Sequence, residues 1–277
     1  MHEMNILMSD LYAHSPNDQG AWHSLKNHLQ EVADLAGQFA EAFNASNLAK
    51  WIGLWHDLGK SNPAFQEYLK TCTKGEFTQR VPHAIWGAVI AYRTLGNTER
   101  WQEIVLPIAG HHAGLYQPGE LSQKIVQSLA ENKDLLKTVA ETAKALPDLP
   151  KCNFPEVEKR QREFFIRMLF SALVDADYLN TEQHFNPAMS EKRKTFPEMH
   201  ELQIRFNEKQ NTLLNKTQES SSVNRIRHEA YHACIKAASG PAGIYRLTVP
   251  TGGGKTRSSL AFALEHAVKN EMKHIVC

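Results

Sequence analysis

The stretch Trp51-Ile52-Gly53-Leu54-Trp55-His56-Asp57-Leu58-Gly59-Lys60 decides how the rest of the chain is read. At about 100° per residue, Trp51, Leu54, Trp55 and Leu58 form the apolar stripe of a helix. His56, Asp57 and Lys60 then fall on the opposite face within an arc of roughly 100°, beside the small residues Ala49 and Gly53. A solvated polar face is the plain alternative. An imidazole next to a carboxylate, with an ammonium three residues on, instead suits a metal and phosphate site. The first two are ligands and the third offsets phosphate charge.

Working outward, further histidines and aspartates fall in four more places. A helix predicted from Leu25 to Phe43 has the stripe Leu25, Leu29, Val32, Leu35, Ala36 and Phe39, with His28 on its edge and His23 a weaker candidate one turn earlier. Pro82-His83-Ala84-Ile85-Trp86 places His83 in the first turn of a helix opened by Pro82. Ile108-Ala109-Gly110-His111-His112-Ala113-Gly114 sets two histidines between glycines, whose freedom lets both rings turn to one centre. Arg162 to Leu179 reads as a helix buried on most sides, apolar from Phe164 to Val174, and carboxylates at its end are costly unless protonated, paired or metal-bound. Asp175 and Asp177 lie about 200° apart there, so at most one reaches a given ion. Each piece alone has a structural alternative, a core histidine or a capping aspartate.

Composition narrows the classes. The 277 residues suit one large domain or two small ones. With 31 Lys+Arg against 30 Asp+Glu, the net charge of +1 gives no global basic field, although a local groove can still bind nucleic acid. Hydrophobic residues at 42% and charged residues at 22% fit a globular chain rather than a disordered one. No apolar run approaches the ~20 residues of a membrane span, and the start lacks a signal-peptide plan. Cys72, Cys152, Cys234 and Cys277 are scattered, which excludes a Cys-rich zinc site and fits a reducing, cytoplasmic compartment.

The pattern is helical nearly throughout from Ala21 to about Ala238, broken by turns at Ser61-Asn62-Pro63, Val81-Pro82, Leu95-Gly96-Asn97, Gln117-Pro118-Gly119 and Leu146-Pro147. Glu191 to Lys216 predicts a surface helix or pair of helices, and Ser220-Ser221-Ser222 a linker. The expected domains are residues 1–218 and 223–277, joined by 219–222. Ile244-Tyr245-Arg246-Leu247-Thr248-Val249 then reads as a strand, followed by a glycine-rich turn, a helix from about Thr256 to Lys269, and a second strand at His274-Ile275-Val276. This opens an α/β domain whose sheet about fifty-five residues cannot complete. In Val249-Pro250-Thr251-Gly252-Gly253-Gly254-Lys255-Thr256 the backbone at Gly252 and Gly254 would cradle phosphates. Lys255 would reach the β/γ-phosphates and Thr256 would bind Mg²⁺. Val249 stands where the strict phosphate-loop pattern has its first glycine.

The order His, His-Asp, His, His-His, Asp resembles the HD superfamily of metal phosphohydrolases. The wording "NHLQEVADLAGQFA", "WHDLGKSNPAFQEYL", "PHAIWGA", "GHHAG" and "LVDADYLNTE" is similar to the HD nuclease domain of the CRISPR-associated nuclease-helicase of type I systems, over roughly residues 20–185. The glycine loop resembles motif I of superfamily 2 helicases, with Val249 for its Ala. The resemblance implies a mainly α fold, an HD helical bundle followed by a truncated RecA-like α/β start. It implies one metal site at His28, His56, Asp57 and Asp177 (Asp175 the alternative), and a second at His83, His111 and His112 with Asp57. It also gives Lys60 an electrostatic role in catalysis.

His and Asp ligands suit one or two ions of Mn, Fe, Co, Ni or Zn. Two ions about 3.5–4 Å apart clamp a scissile phosphate and stabilise its leaving oxygen. The implied substrate is single-stranded DNA, and the implied partner an RNA-guided CRISPR surveillance complex, with no membrane. Lys124 and Arg160 are weak candidates for lining the strand's path. ATP and Mg belong to the longer protein, and residues 1–277 alone are expected neither to hydrolyse ATP nor to unwind DNA. Two alternatives stand beside this reading: an HD nucleotidase or cyclic-nucleotide phosphodiesterase, and a docking module with a structural metal.

Overall fold

The computed structural model describes residues 10–75, 79, 81–96, 98–147, 151–194, 196–214 and 221–275. Among them the chain is mainly α, as expected. Its one sheet there is a two-stranded antiparallel hairpin of β1 (Tyr12–His14) and β2 (His23–Ser24). The helices are α1 (Leu25–Phe39), α2 (Ser46–Trp55), α3 (Pro63–Thr73), α4 (Ala84–Leu95), α5 (Gln102–Gly110), α6 (Pro118–Glu131), α7 (Lys133–Lys144), α8 (Arg162–Phe185), α9 (Pro187–Lys194), α10 (Met199–Leu214), α11 (Ser222–Ala238) and α12 (Lys255–Lys269). None is long and apolar enough to cross a membrane.

The chain divides into two compact units, Met1–Glu191 and Lys192–Cys277. The division precedes the serine-rich 219–222 expected as linker, because α10 packs against α12 and so joins the second unit. Of that linker, residues 219 and 220 lie outside the described residues, while Ser221 and Ser222 open α11.

In the first unit, the Ser24 side chain accepts a hydrogen bond from the Asn27 amide at 3.2 Å and so caps α1. Leu25, Leu29, Val32 and Ala36 are then wholly buried against α2 and α8. Each such leucine contributes about 1.5–3 kcal/mol of burial. At the α1–α2 crossing a Cβ on Gly53 would sit 2.6 Å from the Ala33 Cα, so only glycine allows this approach. α2 was expected to run to Lys60 but stops at Trp55. Asp57 leaves helical geometry (φ −111°, ψ 17°), and Leu58–Ser61 form a 3₁₀ turn. A Cβ on Gly59 would collide with the His83 carbonyl, so this turn is pressed onto the start of α4.

The core is built mainly from α1, α2, α4, α5 and α8, with Leu29, Ile52, Val89, Ile108 and Leu173, and is extended by Leu121 and Ile125 of α6 and Val139 of α7. α8 is buried on one side, not on most sides. Phe165, Leu169 and Leu173 face the core, whereas Phe164 is 68% exposed because α1, α2 and α5 cover one face alone. The buried Glu103 on α5 takes two bonds of 2.7 Å from Arg100, which also donates to the Pro155 carbonyl at 2.6 Å and so ties the segment before α8 to the bundle.

In the second unit α12 packs on α10 and α11. The charged stretch from Glu191 forms helices as expected, although Lys216 lies outside the described residues. The expected strand at Ile244 to Val249 does not form: these residues carry no ladder, and Ile244 is fully exposed. An extended segment becomes a strand only when a neighbour takes its N–H and C=O groups, and no described segment does so. His274 and Ile275 likewise form no strand, and Val276 lies outside the described residues, as does Asn97 of the predicted turn.

Candidate metal centre

Five separated elements of the first unit bring their histidines and aspartates together. Asp57 sits between α2 and the 3₁₀ turn, fully buried, and its two oxygens divide the neighbours. Oδ2 lies 3.2 Å from His28 Nε2 of α1 and 3.3 Å from His56 Nε2. Oδ1 lies 3.3 Å from His83 Nε2 at the start of α4 and 3.3 Å from His111 Nε2 after α5. Asp177 of α8 adds its Oδ1 at 3.5 Å from His28 and 3.7 Å from His56. His112 Nε2 is 2.8 Å from His83 Nε2. Two groups of possible ligands result, His28-His56-Asp57-Asp177 and Asp57-His83-His111-His112, joined by one carboxylate.

The structure fits a bound cation on three grounds. Buried His56 Nε2, Asp57 Oδ1 and His111 Nε2 have no hydrogen-bond partner. Buried polar atoms are rarely left so, since each costs about 1–3 kcal/mol. The spacings among them also match the edge of a coordination shell, about 3.3 Å for tetrahedral bonds of about 2.0–2.1 Å. Thirdly, the far nitrogens are already engaged. His56 Nδ1 lies 2.7 Å from the Gly53 carbonyl, His111 Nδ1 2.7 Å from that of Ile108, and His83 Nδ1 3.3 Å from that of Val81. A carbonyl only accepts, so Nδ1 carries the proton and Nε2 keeps its lone pair for the centre.

Electrostatics follow from this packing. Burial opposes charge on His56, but Asp57 and Asp177 overcome it and raise its pKa to about 10, so without a cation it holds a proton. Burial likewise works against the Asp57 carboxylate, and Lys60, His56 and His83 nevertheless hold it well below the usual carboxylate range. Asp177 is lowered too, burial being outweighed by His56. Burial first, then His111, brings His112 down to about 4. His28 is lowered mainly by burial.

The solvated face, the plain alternative for α2, is therefore absent: His56, Asp57 and Lys60 are all buried. Because the helix ends at Trp55, the turn folds them inward. Lys60 Nζ lies 2.6 Å from Asp57 Oδ2 and 3.5 Å from His14 Nε2, a cation already inside the centre. His28 is fully buried within its stripe, not on the edge, and His83 precedes the first turn of α4 as its cap residue. Between the two aspartates of α8, Asp177 faces the centre and Asp175 is exposed. Lys124 and Arg160 sit outside it, paired with Glu120 at 3.9 Å and Glu158 at 2.6 Å. Cys72, Cys152 and Cys234 are free thiols and contribute no ligand.

The sequence reading missed two neighbours, His14 and Asn180, and gave His23 a minor place. His14 of β1 meets His23 Nδ1 to Nδ1 at 3.1 Å, and burial with Lys60 lowers it; His23 is lowered to about 3 by burial and His28. These two with His28 form a third histidine group. Asn180, one turn beyond Asp177, bonds His28 Nδ1 at 2.7 Å. An i,i+3 step from Asp177 was the available signal for Asn180; nothing periodic marks His14. The centre is closed on the side of His28, His56 and His111 and open on the side of His112, which is exposed, and of the half-buried His83 and Asp177.

In the second unit, Gly252 and Gly254 both have φ +83°, and Lys255 begins α12. With Thr251 and Thr256 they line a cavity of about 1130 Å³ that Arg225, Arg227, His228 and Arg257 also bound.

One of the comparisons with known proteins, the family model, bears on this geometry. Residues 25–146 match the family model of the HD domain, so the chain contains an HD domain, the unit of metal-dependent phosphohydrolases that bind divalent ions. A search of curated proteins gave no significant match. A solved structure described as "Crystal structure of CRISPR-associated protein" is similar at TM-score 0.37 and 14% identity, covering 95% of this chain and 34% of that one. The chain thus spans about a third of that protein's length.

Proposed function

We propose that the first unit is a metal-dependent nuclease that hydrolyses the phosphodiester bonds of single-stranded DNA in CRISPR interference. The observation that carries the hydrolytic part is the split Asp57 carboxylate, with an imidazole group on each oxygen and unsatisfied buried atoms on both sides. The choice of DNA and the RNA-guided CRISPR complex as partner is supported by the five ordered motifs from His28 to Asp177.

His28, His56, Asp57 and Asp177 would hold one ion, and Asp57, His83, His111 and His112 a second. Bound divalent ions supply an activated water and Lewis-acid stabilisation of phosphate charge. The chain does the rest. Asp57 would be shared by the two positions through its two oxygens. The backbone carbonyls of Gly53 and Ile108 hold His56 and His111 with Nε2 inward. Lys60 keeps a positive charge beside Asp57 where phosphate charge must be offset. The exposed His112 edge leaves a way in for a flexible strand.

For the second unit we propose nucleotide binding at Gly252, Gly254, Lys255 and Thr256, with ATP and Mg²⁺, as the beginning of a helicase motor in a longer protein. The arginines around that cavity favour an anion.

Chelator-treated protein, resupplied with Mn²⁺, Ni²⁺ or Mg²⁺, tests the reading on circular and linear single-stranded DNA, duplex DNA, a nucleoside triphosphate and a cyclic nucleotide. Cleavage of single-stranded DNA that needs the metal and disappears in Asp57→Ala is expected. Turnover of the nucleotides with intact DNA would overturn it in favour of the small-molecule phosphohydrolase.

A further inference from the structure

We infer that Asn180, held by Glu31, is a positioning residue that sets the ring tautomer of His28 and so the affinity of the ion position built by His28, His56, Asp57 and Asp177. The inference rests on the metal reading above and concerns two residues that lie within the quoted stretches but have no ligand role there.

Asn180 is buried and lies between two partners. Its Nδ2 donates to Glu31 Oε2 at 2.6 Å, and its Oδ1 lies 2.7 Å from His28 Nδ1. An amide side chain can be turned end for end with little change of shape, so something must choose its direction. Glu31 does. A carboxylate only accepts, so the NH₂ group faces Glu31 and the carbonyl faces His28. A carbonyl also only accepts, so His28 carries its proton on Nδ1. Nε2, 3.2 Å from Asp57 Oδ2 and 3.5 Å from Asp177 Oδ1, is left with its lone pair toward the ion.

His56, His83 and His111 are oriented by backbone carbonyls, which cannot be turned round. His28 lies inside α1, where the carbonyls are committed to the helix, and so relies on a side chain from α8. That side chain is one turn from Asp177, so one helix face delivers both a ligand and the group that orients another ligand. Glu31 is itself one turn along α1 from His28, and its Oε2 also lies 3.4 Å from His23 Nε2. The arrangement pins α1 to α8 at the metal position through a charge that solvent reaches at Glu31. Outer partners of this kind typically change metal affinity 10–100-fold.

Calorimetric titration of chelator-treated protein with Mn²⁺ alone tests this, with nitrogen NMR of the metal-free protein reporting the His28 tautomer. Asn180→Ala is expected to weaken one of two Mn²⁺ positions by about 10–100-fold, and to let the His28 proton move to Nε2. Asn180→Asp combined with Glu31→Gln exchanges the amide and the carboxylate, keeps an acceptor for Nδ1–H without opposing two carboxylates, and is expected to stay within about threefold of wild type, a rescue that loss of packing would not show. Glu31→Gln removes the group that chooses the amide direction and is expected to mix the His28 tautomers. Asn180→Ala with wild-type Mn²⁺ affinity and an unchanged tautomer overturns the positioning role. Wild-type protein that binds no Mn²⁺ overturns the metal reading itself, a separate result.

Discussion

Replacing Asp57 by Asn tests the centre with and without metal. In the metal-free protein the Lys60 ammonium lies 2.6 Å from Asp57 Oδ2, with side-chain exposures of 6% and 0%. Removing the carboxylate's charge leaves a buried ammonium whose nearest other partner is a neutral His14 nitrogen at 3.5 Å. Breaking a buried pair in this way costs about 3–5 kcal/mol, most of it the stranded charge. A unit of this size shifts its melting temperature by about 2–4 °C per kcal/mol, so a fall of roughly 6–20 °C is expected for the first unit. Asp57→Asn combined with Lys60→Met removes both charges and is expected to recover most of that loss. Wild-type protein with Mn²⁺ at a hundred times its dissociation constant gains about 2.7 kcal/mol, or roughly 5–11 °C. Neither variant should show that gain, because both ligand groups lose their shared anion. Scanning calorimetry on chelated and Mn²⁺-loaded samples reads all of this. Two Mn²⁺ bound to Asp57→Asn at wild-type affinity would refute the bridging role, and a double variant as unstable as the single one would refute the stranded-charge account.

Exposed Asp175 and inward Asp177 should separate cleanly: Asp177→Ala weakens Mn²⁺ binding and cleavage by at least tenfold (about 1.4 kcal/mol), while Asp175→Ala matches wild type in the same titration. His112→Ala is expected to reduce bound metal from two equivalents to one by elemental analysis, since its group keeps just Asp57, His83 and His111. The metal-free protein should lose stability on acidification. His23 has its folded pKa lowered to about 3, so between the unfolded value of about 6.5 and 3 the unfolded state binds more protons, and unfolding free energy falls by up to about 1.4 kcal/mol per pH unit for this residue. Denaturant melts at pH 7 and pH 5 check this, and His23→Asn should flatten the difference. Lys255→Ala is expected to remove binding of a fluorescent nucleotide while leaving the Mn²⁺ titration unchanged.

The parts of the centre legible in the sequence were those whose chemistry is carried by adjacency or by order. His56-Asp57, His111-His112 and the pair Asp175/Asp177 mark candidate ligands without any knowledge of packing. Where the reading depended on how far a helix runs, it failed. Periodicity continued α2 through Lys60, but the contact between Gly59 and the His83 carbonyl is a long-range event that accompanies the early end of the helix and the inward turn of its polar residues. The choice between Asp175 and Asp177 depended on which side of α8 meets α1 and α5. That is fixed by the buried run Leu169, Leu173, Ala176 and Asn180, beside which Asp177 lies. His14 arrives from a three-residue strand too short to have a pattern. Ile244 to Val249 shows the converse: its β-branched and aromatic composition states a preference that becomes a strand when a neighbour pairs with it, and no described segment does.

The unequal exposure of the two ligand groups bears on whether the metal is structural or catalytic. A structural ion is enclosed by protein ligands, all of them fixed. The group around Oδ2 of Asp57 approaches that condition: His28 and His56 are fully buried, and even the proton-bearing nitrogens are tied to Asn180 and Gly53. The group around Oδ1 does not. His112 is exposed, has no carbonyl behind it among the hydrogen bonds of the described residues, and is held by His83 at 2.8 Å and by its ring contact with His111. A ring so placed can turn aside and give its position to water or to a phosphate oxygen, which a closed site cannot do. One firmly held position next to one exchangeable position, sharing a carboxylate, supports the hydrolytic reading proposed above over the docking module. Lys60 is buried against Asp57, so the phosphate role proposed for it would be that of a fixed charge and not of a mobile surface contact.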